Sequence, residues 1–272
     1  MTSTKLLNKQ ISKMYEKELS VALDAARKAS QIIMEIYSSN ELGVEIKEDN
    51  SPVTKADKAA DKLISEILHK NFPDYGLLTE ESVDDRSRLH KDYVWIVDPI
   101  DGTKEYVAHS GEFTVNIGLS YKHKPVLGVI LIPVTGEIYY ATKNGGAFYL
   151  NQELPVKIHV NDKTQDVTTL VSRFHSNDIE QAMIRKHSDV IKHQKIVGAT
   201  IKGCYIAHGK AEMSYRFSSN TKEWDTCAMQ AIVEEAGGYL LKFDGTPIVY
   251  NREDVYNKDG YVICNRKENF LL

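Results

Sequence analysis

Val94-Trp95-Ile96-Val97-Asp98-Pro99-Ile100-Asp101-Gly102-Thr103 decides how this chain is read: a short apolar run leads straight into two acids, a proline, a glycine and a hydroxyl. The β-branched and aromatic residues predict a buried strand, and Pro99 and Gly102 predict that it ends in a turn. Such an ending is poor for packing, yet two carboxylates converging on one side of a turn suit a hard cation beside a phosphate. Pro99 fixes one φ, and Gly102 lets the backbone approach a ligand closely. Asp, Pro and Gly also favour turns for local reasons, so this stretch alone leaves the two readings evenly matched.

Two other segments tilt the balance. Leu77-Leu78-Thr79-Glu80-Glu81-Ser82 is a second apolar run ending in paired acids. Far downstream, Glu223-Trp224-Asp225-Thr226 opens a helix expected over residues 226–236 and closed by Gly237-Gly238. Asp225 can cap that helix, and a carboxylate at a helix start is also held stiffly enough to ligate a metal.

With 272 residues, 42% of them hydrophobic, the chain can bury a sizeable core. Its net charge of −4 argues against a polyanion-binding surface, so no nucleic-acid polymer is expected as partner. The three cysteines, Cys204, Cys227 and Cys264, have neither paired spacing nor an even count, which predicts reduced thiols and a cytoplasmic setting rather than disulfides or zinc. Met1-Thr2-Ser3-Thr4-Lys5 lacks an apolar signal core, and no apolar run approaches the ~18 residues of a transmembrane span.

Helical apolar stripes are expected over residues 19–38, through Val21, Ala22, Ala25, Ala29, Ile32, Ile33 and Ile36, and over 55–70, through Ala59, Leu63, Ile67 and Leu68. Between them, residues 43–54 read as a short strand and polar loop that delivers Asp57 to the first turn of the second helix. Residues 113–150 carry hairpin signals at short spacing and predict an antiparallel meander. A strand over 168–172, a helix over 177–193 and a mixed remainder follow, giving a layered α/β (α+β) chain.

Taken together, these segments resemble the lithium-sensitive, magnesium-dependent sugar phosphatase superfamily to which inositol monophosphatases and 3′(2′),5′-bisphosphate nucleotidases belong. Its two signatures are matched by Trp95 to Thr103 and by Trp224-Asp225-Thr226-Cys227-Ala228 followed by Glu234-Glu235-Ala236-Gly237-Gly238. Thr103-Lys104-Glu105-Tyr106, Gly111-Glu112-Phe113-Thr114-Val115-Asn116-Ile117, Asp49-Asn50-Ser51-Pro52-Val53-Thr54-Lys55-Ala56-Asp57, Ser172-Arg173-Phe174-His175-Ser176, Gly198-Ala199-Thr200-Ile201-Lys202 and Ala207-His208-Gly209-Lys210-Ala211 are similar to the nucleotidase branch. Arg216-Phe217-Ser218-Ser219-Asn220-Thr221 departs from the Arg-Phe-Gly-Pro-Thr usual in bacterial members.

The resemblance implies an αβαβα sandwich in two lobes, residues 1–160 and 161–272, with two or three Mg2+ ions in the cleft between them. Glu80, Asp98 and the Ile100 carbonyl would hold one ion, and Asp98, Asp101 and Asp225 a second, with a weaker third on Glu80. Thr103 would orient the attacking water, Asp57 or Glu80 would act as base, and Gly102 and Thr103 would cradle the phosphate. Glu81 reads as a support for Glu80. His175, Gly198, Lys202 and Arg216 would meet the rest of a small phosphate ester.

The implied activity is conversion of 3′-phosphoadenosine 5′-phosphate to AMP and phosphate in sulfate assimilation, with the 5′-phosphosulfate analogue as a further substrate; a homodimer stays open. The alternatives are an inositol mono- or polyphosphate phosphatase and a non-catalytic nucleotide- or metal-binding regulator. The latter would be expected to have lost an acid or the threonine, and Asp57, Glu80, Asp98, Asp101, Thr103 and Asp225 are all present.

Overall fold

Helices α1 (Glu16–Ser39) and α2 (Lys55–Asn71) pack through Ala22, Ala25, Ala29 and Ile33 of the first and Ala56, Ala60, Ile64 and Leu68 of the second. Small residues at three- and four-residue spacing let the helices approach, and the isoleucines and leucine seat them on a sheet. The structure, a computed structural model, describes residues 14–39, 41–47, 51–151 and 154–272. Asp49, Asn50 and the Met1 to Lys5 segment discussed above lie outside these. The expected strand and loop between the helices is a small antiparallel hairpin, β1 (Glu45–Ile46) with β2 (Pro52–Val53).

The first sheet runs in chain order: β3 (Gly76–Thr79), β4 (Tyr93–Asp101), β5 (Thr114–Tyr121), β6 (Lys124–Ile132), β7 (Glu137–Thr142), β8 (Gly146–Leu150) and β9 (Val156–Ile158). Only β3 and β4 pair in parallel, and the expected meander gains one further strand, β9. Along β4, Trp95 and Val97 point to the α1/α2 core, while Val94 and Ile96 point to a second core on the other face. Burial on both faces explains why the strand reads as an unbroken apolar run.

A short helix, α3 (Thr103–Val107), follows β4. The second sheet contains β10 (Val167–Val171), β11 (Ile191–Ile196), β12 (Met213–Arg216), β13 (Tyr239–Leu241) and β14 (Tyr261–Cys264), in the order β11-β10-β12-β14-β13. Helix α4 (Asp178–Lys186) covers its outer face through Ile184. The helix expected over 177–193 is therefore too long: it stops at Lys186, and Ile191–Ile196 is an edge strand pairing in parallel with β10. The His187-Ser188-Asp189 turn and the β-branched Val190-Ile191 account for the switch.

Helices α5 (Ile201–Ala207) and α6 (Glu223–Glu235) fill the layer between the sheets, joining Ile96, Ile130, Cys227, Ile232, Leu240 and Ile263 in one core. The layers are thus αβαβα, as the resemblance implies. Helix α6 starts three residues earlier than expected. It lies directly on the first sheet at two glycines: a Cβ on Gly118 would meet Cys227 Sγ at 2.7 Å, and one on Gly128 would meet the Ala228 carbonyl oxygen at 2.2 Å. All three cysteines are free and buried. Among the described residues, no helix is long and apolar enough to cross a membrane.

Candidate active site

The acidic cluster begins where β4 loses its ladder. Pairing with β5 runs to Asp98–Asn116 and resumes at Asp101–Thr114, across Pro99, which has no N–H to contribute. In the break, the Ile100 N–H donates to Asp98 Oδ1 at 3.1 Å. The Thr200 N–H, at the start of α5, donates to Asp101 Oδ2 at 2.6 Å. Asp225 caps α6 from its third position rather than its first, accepting the Lys222 N–H at 2.5 Å. One carboxylate oxygen from each of Asp98, Asp101 and Asp225 lies within 4.8 Å of the other two.

Burial, then repulsion from Glu80 and the other acids, holds Asp98 well above the usual carboxylate range. Burial also raises Asp101, against the pull of Lys202 and the Thr200 N–H. Burial followed by the charges of Asp101 and Glu80 pushes Asp225 up to about 7. Asp98 is buried and Asp101 and Asp225 are half-buried, and three carboxylates held this closely carry more negative charge than Lys202 and Arg216 balance. The donor set is all oxygen, with no cysteine or histidine, so a hard divalent cation such as magnesium fits and a thiophilic metal does not.

Glu80 lies outside this three-acid group. Its carboxylate reaches Lys47 Nζ at 3.1 Å, while Glu81 holds the same ammonium at 2.5 Å. Glu81 thus supports its neighbour through a shared cation, and burial pushes its pKa up to about 7 despite that cation. Lys47 was not legible as a site residue, because a lone lysine before a polar loop carries no signal.

Asp57 sits one layer behind the cleft, 1% exposed, in a capping box with Thr54 at the start of α2. Its Oδ2 accepts the Thr54 N–H at 2.8 Å, and its Oδ1 is 3.4 Å from Thr103 Oγ1, which also lies 3.3 Å from the Ile100 carbonyl. Burial raises its pKa to about 6. Gly102, at φ 92°, makes the turn from β4 into α3.

Glu80, Asp98, Ile100, Asp101, Gly102, Thr103, His175, Lys202, Arg216 and Asp225 all line one cleft of about 490 Å3. Lys202 Nζ donates to the Ala199 carbonyl at 2.7 Å and faces Asp101. Arg216 Nη1 donates to the His175 carbonyl at 2.9 Å. His175 stands on an exposed loop, yet its ring is desolvated against the cleft wall and faces Arg216, Lys104 and Lys202; together these push its pKa down to about 4. The cleft that holds the acids is therefore also lined by Lys104, Lys202 and Arg216.

Gly198 does not line the cleft. Its N–H donates to Glu112 Oε2 at 3.0 Å, and a Cβ there would lie 2.7 Å from the Glu112 carbonyl oxygen, so it serves the turn rather than a ligand. The neighbouring Thr200 was missed as a functional residue. Its hydroxyl is locked at 2.7 Å from Thr114 Oγ1 and 3.0 Å from Asn116 Oδ1, which fixes the N–H that orients Asp101. Thr200 and Asn116 both sit in the segments that carry the resemblance, but their roles need the two sheets in place.

Nearly the whole chain is similar to one family of known proteins. The inositol monophosphatase family profile matches residues 14–271. The 3′(2′),5′-bisphosphate nucleotidase CysQ of Salmonella typhimurium is 36% identical over 239 residues, covering 87% of this chain and 95% of that protein. The Nus factor SuhB of Pasteurella multocida is 31% identical over 232 residues, covering 84% and 85% respectively. Among solved structures, CysQ from Bacteroides thetaiotaomicron, described as a bacterial member of the inositol monophosphatase family, superposes with a TM-score of 0.80 at 33% identity, covering 93% of this chain and 99% of that one.

Proposed function

This chain belongs to the inositol monophosphatase family, and we propose that it is a magnesium-dependent 3′(2′),5′-bisphosphate nucleotidase that hydrolyses 3′-phosphoadenosine 5′-phosphate to AMP and phosphate. The observation that carries the reading is one cleft holding the Asp98, Asp101 and Asp225 oxygens within 4.8 Å of one another, with Lys104, Lys202 and Arg216 in the same lining. The acids provide for the phosphate that leaves. The cations provide for the phosphate that stays, which an inositol monophosphate does not have.

Phosphate monoesters hydrolyse slowly because the anionic phosphoryl group repels nucleophiles and the alkoxide leaves badly. Bound magnesium, held by Asp98, Asp101 and Asp225 with Glu80 beside them, would neutralise phosphoryl charge, activate water and stabilise the leaving oxygen. Thr103, kept in place by Asp57, orients the attacking water, and Asp57 accepts its proton through the threonine hydroxyl. The water oxygen bonds to phosphorus as the bond to the 3′ oxygen breaks; that oxygen leaves with the bonding pair and takes a proton from solvent to become the nucleoside hydroxyl, and Asp57 returns its proton to solvent. Lys202 and Arg216 hold the 5′ end by charge-assisted contacts.

This reading extends to the 5′-phosphosulfate analogue and to a supporting role in sulfate assimilation within the cytoplasm. The experiment is phosphate release from 3′-phosphoadenosine 5′-phosphate by protein stripped with chelator and then titrated with magnesium. Turnover that appears only with magnesium, and is abolished in Asp101→Asn, supports the assignment; turnover in excess chelator refutes it.

A further inference from the structure

Arg88 and Glu223 are both wholly buried charged residues, and the chemistry above uses neither. Arg88 lies on the 3-10 turn Ser87–His90, beyond the loop that begins at Glu80. Its Nε and Nη2 donate to Asp84 Oδ2 at 3.0 and 2.8 Å. Its Nη1 donates to Asn251 Oδ1 at 2.9 Å, and Asn251 Nδ2 returns a bond to the Arg88 carbonyl at 3.1 Å. Gly76 makes room for it, since a Cβ there would sit 2.8 Å from the Arg88 Cβ.

From Asn251 the chain of bonds continues to α6. The Asn251 N–H donates to Glu223 Oε2 at 2.6 Å, and the Arg252 N–H and Nε donate to Glu223 Oε1 at 2.8 and 3.1 Å. Asn251 is held at φ 58°, a left-handed conformation that non-glycine residues adopt sparingly. Glu223 is the first residue of α6, two before Asp225. One end of this connection therefore leaves the Glu80 loop, four residues after Glu80, and the other reaches the turn that carries Asp225.

We propose that Asp84, Arg88, Asn251 and Glu223 form a buried strut of positioning residues that fixes Asp225 relative to the Glu80 loop and so sets the spacing of the acidic cluster. Hydrogen bonds to the buried charges of Arg88 and Glu223 are directional and costly to break singly, which is what a spacer requires. Asp84 and Glu223 arrive from different layers, and the strut ties them through the Arg88 and Asn251 side chains and the Asn251 backbone N–H. The inference rests on the reading that the cluster holds a divalent cation.

The test is calorimetric titration of magnesium and manganese into the substrate-free full chain, for the natural protein and for Asp84→Asn, Arg88→Met, Glu223→Gln and the Arg88→Met/Glu223→Gln double variant. Each single change should weaken divalent binding, by about 10- to 100-fold for the two buried charges, as loss of a residue that orients a ligand does, while the far-UV spectrum is kept. The double variant should bind no more weakly than the worse single one, because both break the same strut. Asp84 is partly exposed, so its variant decides the matter if the buried ones fail to fold. Unchanged divalent affinity in folded variants, with only thermal stability lowered, overturns the proposal, as do losses that multiply in the double variant. A natural protein that binds no divalent ion would instead refute the metal reading.

Discussion

Thr103 Oγ1 lies 3.4 Å from Asp57 Oδ1, joining the first residue of α3 to the third residue of α2 across the wall of the cleft. Asp57 is anchored from behind by the Thr54 N–H, so the hydroxyl is aimed by a group that cannot itself swing into the cleft.

Asp57→Asn keeps the size and the capping position but removes the proton acceptor. The expected result is a fall in kcat of about 10²- to 10⁴-fold with KM little changed, the usual range for a lost general base. Steady-state kinetics at saturating magnesium checks it, and a kcat within a few-fold of the natural protein would show that Asp57 only caps α2.

The acids also make stability depend on pH when no divalent ion is present. Asp57, Asp225 and Glu81 are raised to about 6, 7 and 7, and Asp98 and Asp101 are raised as well, chiefly by burial. Across the window from the ordinary carboxylate range up to about 7, the folded chain binds protons that the unfolded chain has released, so folding stability falls as pH rises. In chelator, Tm should be higher near about pH 5.5 than near about pH 8, and magnesium should raise Tm more at the higher pH. Thermal melts that rise with pH in chelator would contradict the account.

Gly128→Ala tests how the site is carried. A methyl there meets the Ala228 backbone, which cannot rotate away, so α6 must lift from the first sheet. Overpacking of this kind costs about 1–3 kcal/mol. Chemical denaturation should show that loss, and because α6 carries Asp225, the magnesium requirement for turnover should rise with it. A variant as stable as the natural chain would mean that the helix is not seated on this glycine.

The sequence was most legible where chemistry and secondary structure coincide. An apolar run ending in Asp98-Pro99-Ile100-Asp101-Gly102-Thr103 is both a buried strand and part of an acidic cluster that could hold a cation, and the two long amphipathic helices declare themselves by periodicity. The boundary after Lys186 was missed because a short helix and the following edge strand share polar, lysine-rich composition with no glycine or proline between them. Thr200, Lys47 and Arg88 were missed for another reason. Each acts on a residue far away in the chain, and nothing local marks a threonine N–H or a lysine as the partner of a distant carboxylate, or an arginine as the partner of a distant amide.

In the proposed function Lys202 serves the phosphate that stays rather than the phosphate that leaves. It lines the cleft, faces Asp101 and keeps one proton beyond those given to the Ala199 and Val197 carbonyls. Losing a charge-assisted contact of about 1.5–3 kcal/mol should lower kcat/KM for 3′-phosphoadenosine 5′-phosphate by about 10- to 150-fold in Lys202→Ala. Adenosine 3′-monophosphate, lacking the 5′ group, should lose far less. Equal losses on both would assign Lys202 to the reacting phosphate or to holding Asp101.

The most direct measurement is kcat/KM for 3′-phosphoadenosine 5′-phosphate and for inositol 1-phosphate, taken in parallel with the same enzyme preparation and saturating magnesium. With Lys104, Lys202 and Arg216 lining the same cleft as the acids, the bisphosphate should be preferred by at least about 100-fold, the value of one to two charge-assisted contacts. Equal turnover of the two, or preference for the inositol ester, would contradict the assignment.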